Sequence, residues 1–224
     1  MSFFINGIAL ILAVIDWVAV ANKWKKLEYF AKPGVILALI SWLIINGGYQ
    51  GQLQFFLIGL IFSLAGDIFL MLPNEYFIAG LISFLLAHIA YIRGFSIAIP
   101  NFSVAGLILV IFMGLIAFVI FHQISNGLKA QGQIRLRIPI LIYSFVIYIM
   151  VVSALLTTIA PNSEWNAFPS LLVSFGAIFF FISDTLLAWN KFVNPIKYGS
   201  LFVIITYHFA QITITIGAGL NFLS

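Results

Sequence analysis

The sequence predicts an all-α integral membrane protein with eight transmembrane helices, forming a single transmembrane domain over residues 1–224. Hydrophobic residues make up 63% of the 224 residues and charged residues only 7%, whereas soluble domains average about 25% charged residues. The mean hydropathy is +1.18. This composition excludes soluble-enzyme, disordered and collagen-like classes. At about 20 residues per spanning helix, the length accommodates eight spans.

The spans are eight apolar runs separated by charged or turn-forming residues. Each run is uniformly apolar and about twice as long as the ~10-residue alternating segments of a membrane β-barrel, so helices are predicted. The predicted spans are residues 3–21, 33–48, 53–72, 76–93, 102–122, 138–160, 167–190 and 199–221.

Prolines mark several span boundaries. We expect Pro33 and Pro139 at helix starts, where a missing N–H has no partner to lose. The first run is followed by KWKK rather than by a small-residue cleavage site, so no cleavable signal is expected. Breaks between spans are predicted at Pro73–Asn74, Pro100–Asn101, Pro161–Asn162 and Asn194–Pro195.

The basic residues predict the orientation in the membrane. Nine of the ten Lys and Arg residues lie in or beside the loops after odd-numbered spans, and Arg93 is the exception. The positive-inside rule places these loops in the cytoplasm and both termini outside. We expect a bacterial cytoplasmic membrane rather than the endoplasmic reticulum, and no nucleic-acid partner. The sequence has no Cys, which excludes disulfides and thiol nucleophiles.

Two pairs of spans resemble each other. Span three contains SLAGDIFLML and span seven FFISDTLLAW, while span four contains FLLAHIAYI and span eight YHFAQITIT. This similarity predicts two parallel four-helix repeats, residues 1–101 and 102–224, related by an axis along the membrane normal.

Ionisable side chains within the spans are the most informative residues. A charge inside the bilayer costs several kcal/mol, so such residues normally face a partner or a cavity. For Asp16, near the cytoplasmic end of span one, we expect pairing with Lys23 or Lys25. The five intramembrane ionisable residues are Asp16, Asp67, His88, Asp184 and His208.

Asp67 and Asp184 are predicted to lie at one depth, roughly 9–10 Å inside the cytoplasmic boundary. Two unpaired carboxyls there cannot both ionise easily, so they are expected to share a proton. Acid–base hydrolysis needs one carboxyl that gives a proton and one that takes it, at separations of roughly 5–10 Å. Proton or ion transport, interhelical hydrogen bonding, and a salt bridge to Lys32 or Arg137 are the open alternatives.

Other polar residues on spans four, six and eight face a shared cavity or serve in helix packing, and both interpretations stay open. His88 and Gln211 are expected to lie deeper than the aspartates along such a cavity. No HxxxH or HxxE pair places two ligands on one helix face, so we predict neither a metal site nor a cofactor. These candidate residues are His88, Tyr91, Tyr143, Tyr207 and Gln211.

An ordered set of motifs covers nearly the whole chain: Lys32-Pro33, Gly66-Asp67, Phe84 with His88 and Tyr91, Tyr143 with Met150, Ser183-Asp184, and Tyr207 with Gln211. In this order and spacing the chain resembles the YhhN-like lysoplasmalogenase family of eight-span membrane proteins. The resemblance implies hydrolysis of the vinyl ether bond of lysoplasmalogens to a fatty aldehyde and glycerophosphoethanolamine or glycerophosphocholine. It also implies that Asp67 and Asp184 are catalytic and that Lys32 is the basic residue of a KP motif.

A lysophospholipid substrate would lie with its chain between helices lined by Phe and Leu. Its phosphate would sit at the cytoplasmic rim near Lys32, Arg135 and Arg137, and the remaining partners are membrane lipids. Two other functions stay open on the sequence alone, a small proton-coupled transporter and a lipid-binding scaffold without turnover.

Overall fold

The computed structural model describes residues 4–72, 76–95, 103–160 and 163–223. These residues form eight α-helices, each long and apolar enough to cross a membrane, and no strand. The prediction of an all-α protein with eight spans is therefore confirmed. The helices are α1 Phe4–Ala21, α2 Lys25–Ile45, α3 Leu53–Met71, α4 Phe77–Phe95, α5 Val104–Ala130, α6 Arg137–Ile159, α7 Ala167–Phe192 and α8 Gly199–Phe222.

The start of α2 was predicted wrongly. The helix begins at Lys25 rather than at residue 33, so Pro33 lies in its third turn. The prediction placed the helix start at the first residue of the apolar run. The helix extends further toward the N-terminus because Glu28 in the first turn interacts favourably with the helix dipole and pairs with Lys25. As a consequence Lys32 lies roughly 10 Å along the helix axis from its start. This is the depth predicted for the two aspartates.

The other boundaries agree within a few residues, except that α5 continues to Ala130 rather than ending at residue 122. Pro139 lies in the first turn of α6, as predicted, and the break at Asn194–Pro195 separates α7 from α8. The breaks predicted at Pro73–Asn74, Pro100–Asn101 and Pro161–Asn162 lie outside the described residues. The two repeats and the location of the termini stay predictions.

The helices pack as neighbouring pairs around a central α8. The most extensive pairs are α3 with α4, α7 with α8, and α1 with α2, while α6 lies against α4 and α7. Helix α8 contacts α1, α2, α3 and α7. Helix α5 lies at the edge of the bundle against α6 and α7, and its buried residues are few: Gly106, Ile124, Ser125 and Leu128.

Two glycines let aromatic rings pack directly against α3. A Cβ at Gly66 would lie 2.6 Å from the ring of Phe84, and one at Gly59 would lie 2.2 Å from the ring of Tyr91. Small residues at helix interfaces allow such close approach in membrane proteins. Gly66 thus fixes the position of Phe84 beside Asp67, the next residue along α3.

Candidate active site

Asp67 is a fully buried carboxyl held by a cation and a hydroxyl. Lys32 Nζ lies 2.9 Å from its Oδ1 atom, and the Tyr207 hydroxyl donates to its Oδ2 atom over 2.7 Å. The Lys32 ammonium also lies 5.6 Å from the centre of the Tyr207 ring. The salt bridge to Lys32, which the sequence left open, is therefore present. It supplies the opposite charge that a buried carboxylate requires.

Asp184 has a different set of partners. The Tyr143 hydroxyl donates a short hydrogen bond to its Oδ2 atom, and His88 Nε2 lies 3.3 Å from the same oxygen. Because a hydroxyl has one proton to donate, the Tyr143 oxygen accepts from His88 Nε2–H over 2.9 Å. Asp184 thus ends a hydrogen-bonded relay from His88 through Tyr143. Among the described residues it has no Lys or Arg ion-pair partner, so the pairing with Arg137 that the sequence left open does not form.

Both aspartates line one polar cavity of about 580 Å³. Tyr207 and Phe84 also line it at their level. The remaining wall is contributed by helix ends, including the first turns of α2 and α8 and the last turns of α3 and α7. These ends adjoin the basic loops, so the cavity opens on the side predicted to be cytoplasmic.

Of the three basic residues expected near the substrate phosphate, Lys32 lines the cavity and the two arginines do not. Lys25 and Lys191 line the cavity, whereas Arg135 and Arg137 do not. Arg135 lies in the short 3-10 segment Ile134–Leu136, which contacts α5 and α6, and Arg137 is the first residue of α6. The sequence carried only a partial signal for the two lysines: each lies near the end of a helix that also contributes a candidate site residue, but the same is true of Arg137 at the start of α6.

Four of the candidate residues do not line the polar cavity, namely His88, Tyr91, Tyr143 and Gln211. Tyr91 donates to Gln211 Oε1 over 2.7 Å, and both side chains are fully buried. Neither they nor His88 line the polar cavity. His88 contacts the site through Asp184 and Tyr143, whereas Tyr91 and Gln211 join α4 to α8 beneath it.

The prediction that Asp16 pairs with Lys23 or Lys25 is wrong. Asp16 is fully buried and lies 3.8 Å from His208 Nε2, rather than beside Lys23 or Lys25. Trp17 Nε1–H donates to His208 Nδ1 over 3.1 Å and holds the ring in place. The reason is that Asp16 faces α8 across the α1–α8 contact instead of pointing along α1 toward the end predicted to be cytoplasmic.

The two histidines therefore belong to different pairs, His88 with Asp184 and His208 with Asp16. Within the described ranges, no three His, Asp or Glu side chains come close enough together to hold a metal ion.

Comparison with known proteins supplies the family. The sequence model of the YhhN family matches residues 27–218, which includes Lys32, both aspartates and Gln211. The chain belongs to the YhhN family. No solved structure matches the chain.

The curated relatives are named lysoplasmalogenases. Human (Homo sapiens) lysoplasmalogenase TMEM86A is 28% identical over 162 residues, 72% of this chain and 63% of the relative. Human lysoplasmalogenase TMEM86B is 28% identical over 192 residues, 83% of this chain and 72% of the relative. The mouse (Mus musculus) TMEM86B is 26% identical over 204 residues, 90% of this chain and 79% of the relative. The chain thus spans less than two thirds of the length of human TMEM86A.

Proposed function

We propose that this chain hydrolyses the vinyl ether bond of lysoplasmalogens, releasing a fatty aldehyde and glycerophosphoethanolamine or glycerophosphocholine. The observation that carries the proposal is the placement of Asp67 and Asp184 on the wall of one cavity with a basic mouth. The names of the curated relatives support the same substrate.

The reaction needs one proton that is given and then recovered. A carboxyl protonates the vinyl carbon that bears the hydrocarbon chain, and an oxocarbenium ion forms at the carbon bonded to the ether oxygen. Water adds to that carbon and releases a proton to the carboxylate pair, which restores the proton that was given. The hemiacetal then loses its glycerol oxygen, which takes the hydroxyl proton. The products are the aldehyde and the free glycerol hydroxyl.

The partners of the two aspartates suggest their roles. Asp67 is the better carboxylate, because the Lys32 ammonium balances its charge, and it stabilises the oxocarbenium ion as the second carboxylate of a glycosidase does. Asp184 is the better proton donor, because no Lys or Arg among the described residues pairs with it, so its neutral acid form gives up no ion pair with a basic side chain. When it is protonated, its Oδ2–H would donate to the Tyr143 oxygen, which lies within hydrogen-bond distance. His88 and Tyr143 would therefore act as positioning residues for Asp184.

The polar head of the substrate fits the mouth of the cavity. Lys25 and Lys191 supply positive charge for the phosphate, and Glu28 lies beside them on the same wall. Cationic side chains are strong partners for phosphate oxygens. A headgroup with a negative phosphate and a positive amine would meet both signs of charge here, although Lys25 and Glu28 would have to exchange their mutual ion pair for contacts with it.

The distribution of basic residues also supports an orientation. We propose a multi-pass protein of a bacterial cytoplasmic membrane, with the cavity mouth in the cytoplasm and both termini outside. Nine of ten Lys and Arg residues lie on the proposed cytoplasmic side.

The direct test is to incubate the purified protein in detergent with a lysoplasmalogen and to measure released aldehyde by mass spectrometry. Asp67→Asn and Asp184→Asn should each lower turnover at least ~100-fold, the low end of general acid–base contributions. Asp16→Asn is the matched control, because Asp16 is also a buried intramembrane carboxyl but does not line the cavity.

Absence of aldehyde from the wild-type protein would refute the proposal, as would near-normal turnover of either active-site variant. Proton flux in proteoliposomes without aldehyde release would instead support the transporter alternative.

A further inference from the structure

A second pocket adjoins the polar cavity on the side of α5. Its walls come from α3 to α7 and are almost entirely apolar, with Phe77 and Leu81 on α4, Ala117 on α5, and Ile147 on α6. Its volume of about 60 Å³ is small beside the 580 Å³ of the polar cavity. The pocket is therefore small and mainly apolar, which favours a slender apolar occupant.

The two spaces meet at Asp184. Leu70, Phe84, Asp184 and Leu187 line both of them. Tyr143, which donates to Asp184, lines the apolar pocket. A carboxyl thus stands where a polar, cation-rimmed space becomes an apolar one. Only an amphiphile with a charged head and a slender tail matches both sides of this junction.

We propose that the apolar pocket binds the single hydrocarbon chain of the substrate, with the chain extending along α5 past Ala117. This inference deepens the proposed function and rests on it. The pocket has room for one chain, so we expect this site to favour a lysolipid over a lipid with two chains.

The chain position also fixes the position of the reacting carbons. The vinyl carbon that accepts the proton is the one that bears the chain, so it lies at the pocket entrance beside Asp184. The ether oxygen and the glycerol then lie in the polar cavity with Asp67 and Lys32. The position of the chain therefore also favours Asp184 as the proton donor, independently of its hydrogen-bond partners.

Helix α5 forms the wall of the pocket toward the lipid. Ala117 and Ile124 line the pocket and are seven residues apart, which corresponds to roughly 10 Å along the helix axis. Leu115 lies on the opposite face of the same helix and is 60% exposed. Ala117→Trp would fill the pocket, whereas Leu115→Trp would add the same ring on the lipid-facing side.

The test uses a ligand that the protein cannot hydrolyse, a lysophospholipid with a saturated alkyl ether chain. Ala117→Trp should weaken its binding about tenfold, which corresponds to the loss of roughly two buried methylene groups. Leu115→Trp should bind as the wild type does. Equal binding by all three proteins would overturn the proposal.

A second measurement uses the wild-type protein and so does not depend on how a variant folds. The same alkyl lysolipid with a diazirine in its chain should label pocket residues such as Ala117 and Ile147, and excess unlabelled alkyl lysolipid should abolish this labelling. Labelling confined to lipid-facing residues such as Leu115, or labelling that excess ligand does not reduce, would overturn the pocket assignment.

The two proposals fail separately in these experiments. Binding that Ala117→Trp weakens, without any aldehyde release from a lysoplasmalogen, would refute the hydrolase and retain the chain pocket. Aldehyde release with unchanged binding and unchanged KM in Ala117→Trp would retain the hydrolase and refute the pocket.

Discussion

Two lysines of α2 form ion pairs of the same length in different surroundings. Lys25 pairs within α2, and Lys32 pairs with Asp67 on α3. Lys25 Nζ lies 2.9 Å from Glu28, with the two side chains 72% and 16% exposed. Lys32 Nζ lies 2.9 Å from Asp67, with the two side chains 14% and 0% exposed. Since the distances are equal, replacing each lysine by Met isolates the effect of burial.

The expected magnitudes differ clearly. An exposed pair contributes about 0–1 kcal/mol, whereas removal of one partner from a buried pair costs roughly 3–5 kcal/mol, because a charge stays buried without compensation. We therefore expect Lys32→Met to lower the free energy of unfolding by at least about 2 kcal/mol more than Lys25→Met does, a factor of about 30 in the folded-to-unfolded ratio.

The assay is reversible unfolding in mixed detergent micelles with increasing denaturing detergent. The double variant Lys32→Met with Asp67→Asn should recover most of the lost stability, because it removes both charges. It should not recover aldehyde release, because Asp67 is then no longer a carboxylate. A Lys32→Met variant as stable as Lys25→Met, or a double variant no more stable than Lys32→Met alone, would refute this reasoning.

Three further predictions concern packing, burial and metal. Gly66→Ala should lower kcat/KM, because the new Cβ would lie 2.6 Å from the ring of Phe84 in the cavity wall, whereas Gly7→Ala, with no atom within 4 Å, should leave it unchanged; equal kinetics of both variants would show that Phe84 need not be fixed. Tyr91→Phe should destabilise the protein by roughly 1–3 kcal/mol, because it leaves the buried acceptor of Gln211 without its donor; a raised KM at unchanged stability would instead support a direct substrate contact. Aldehyde release should survive EDTA and phenanthroline, because two carboxyls suffice for the chemistry; loss of activity with rescue by zinc would favour a metal-hydroxide mechanism.

The fold class and most of the helix boundaries were predictable from the sequence, because hydropathy over about 20 residues reports directly on the thickness of the bilayer. The error at α2 has the same origin. A helix continues outside the apolar run when the polar residues beyond it also favour a helix, and hydropathy does not register such turns. The true start of α2 at Lys25 matters for the site, because it determines how far along the helix Lys32 lies.

The candidate carboxyls were also predictable, because a bilayer penalises any ionisable group that has no partner. Their position within apolar spans identified Asp67 and Asp184 as candidates. The partners of these carboxyls were not predictable, because they depend on how each helix is rotated about its axis. Asp16 illustrates this point, since its depth suggested Lys23 or Lys25 and its direction leads to His208.

The sequence by itself determined the number of helices long and apolar enough to span a membrane. It also predicts the depth of the intramembrane charges and the side of the membrane that holds the basic loops. These properties follow from the polarity of each residue and its position along one helix. Only the tertiary structure decided that Lys32 pairs with Asp67, that His88 and Tyr143 meet Asp184, and that an apolar pocket ends at that carboxyl. These contacts join residues from different helices, and side-chain packing between the helices sets the rotations that bring them together.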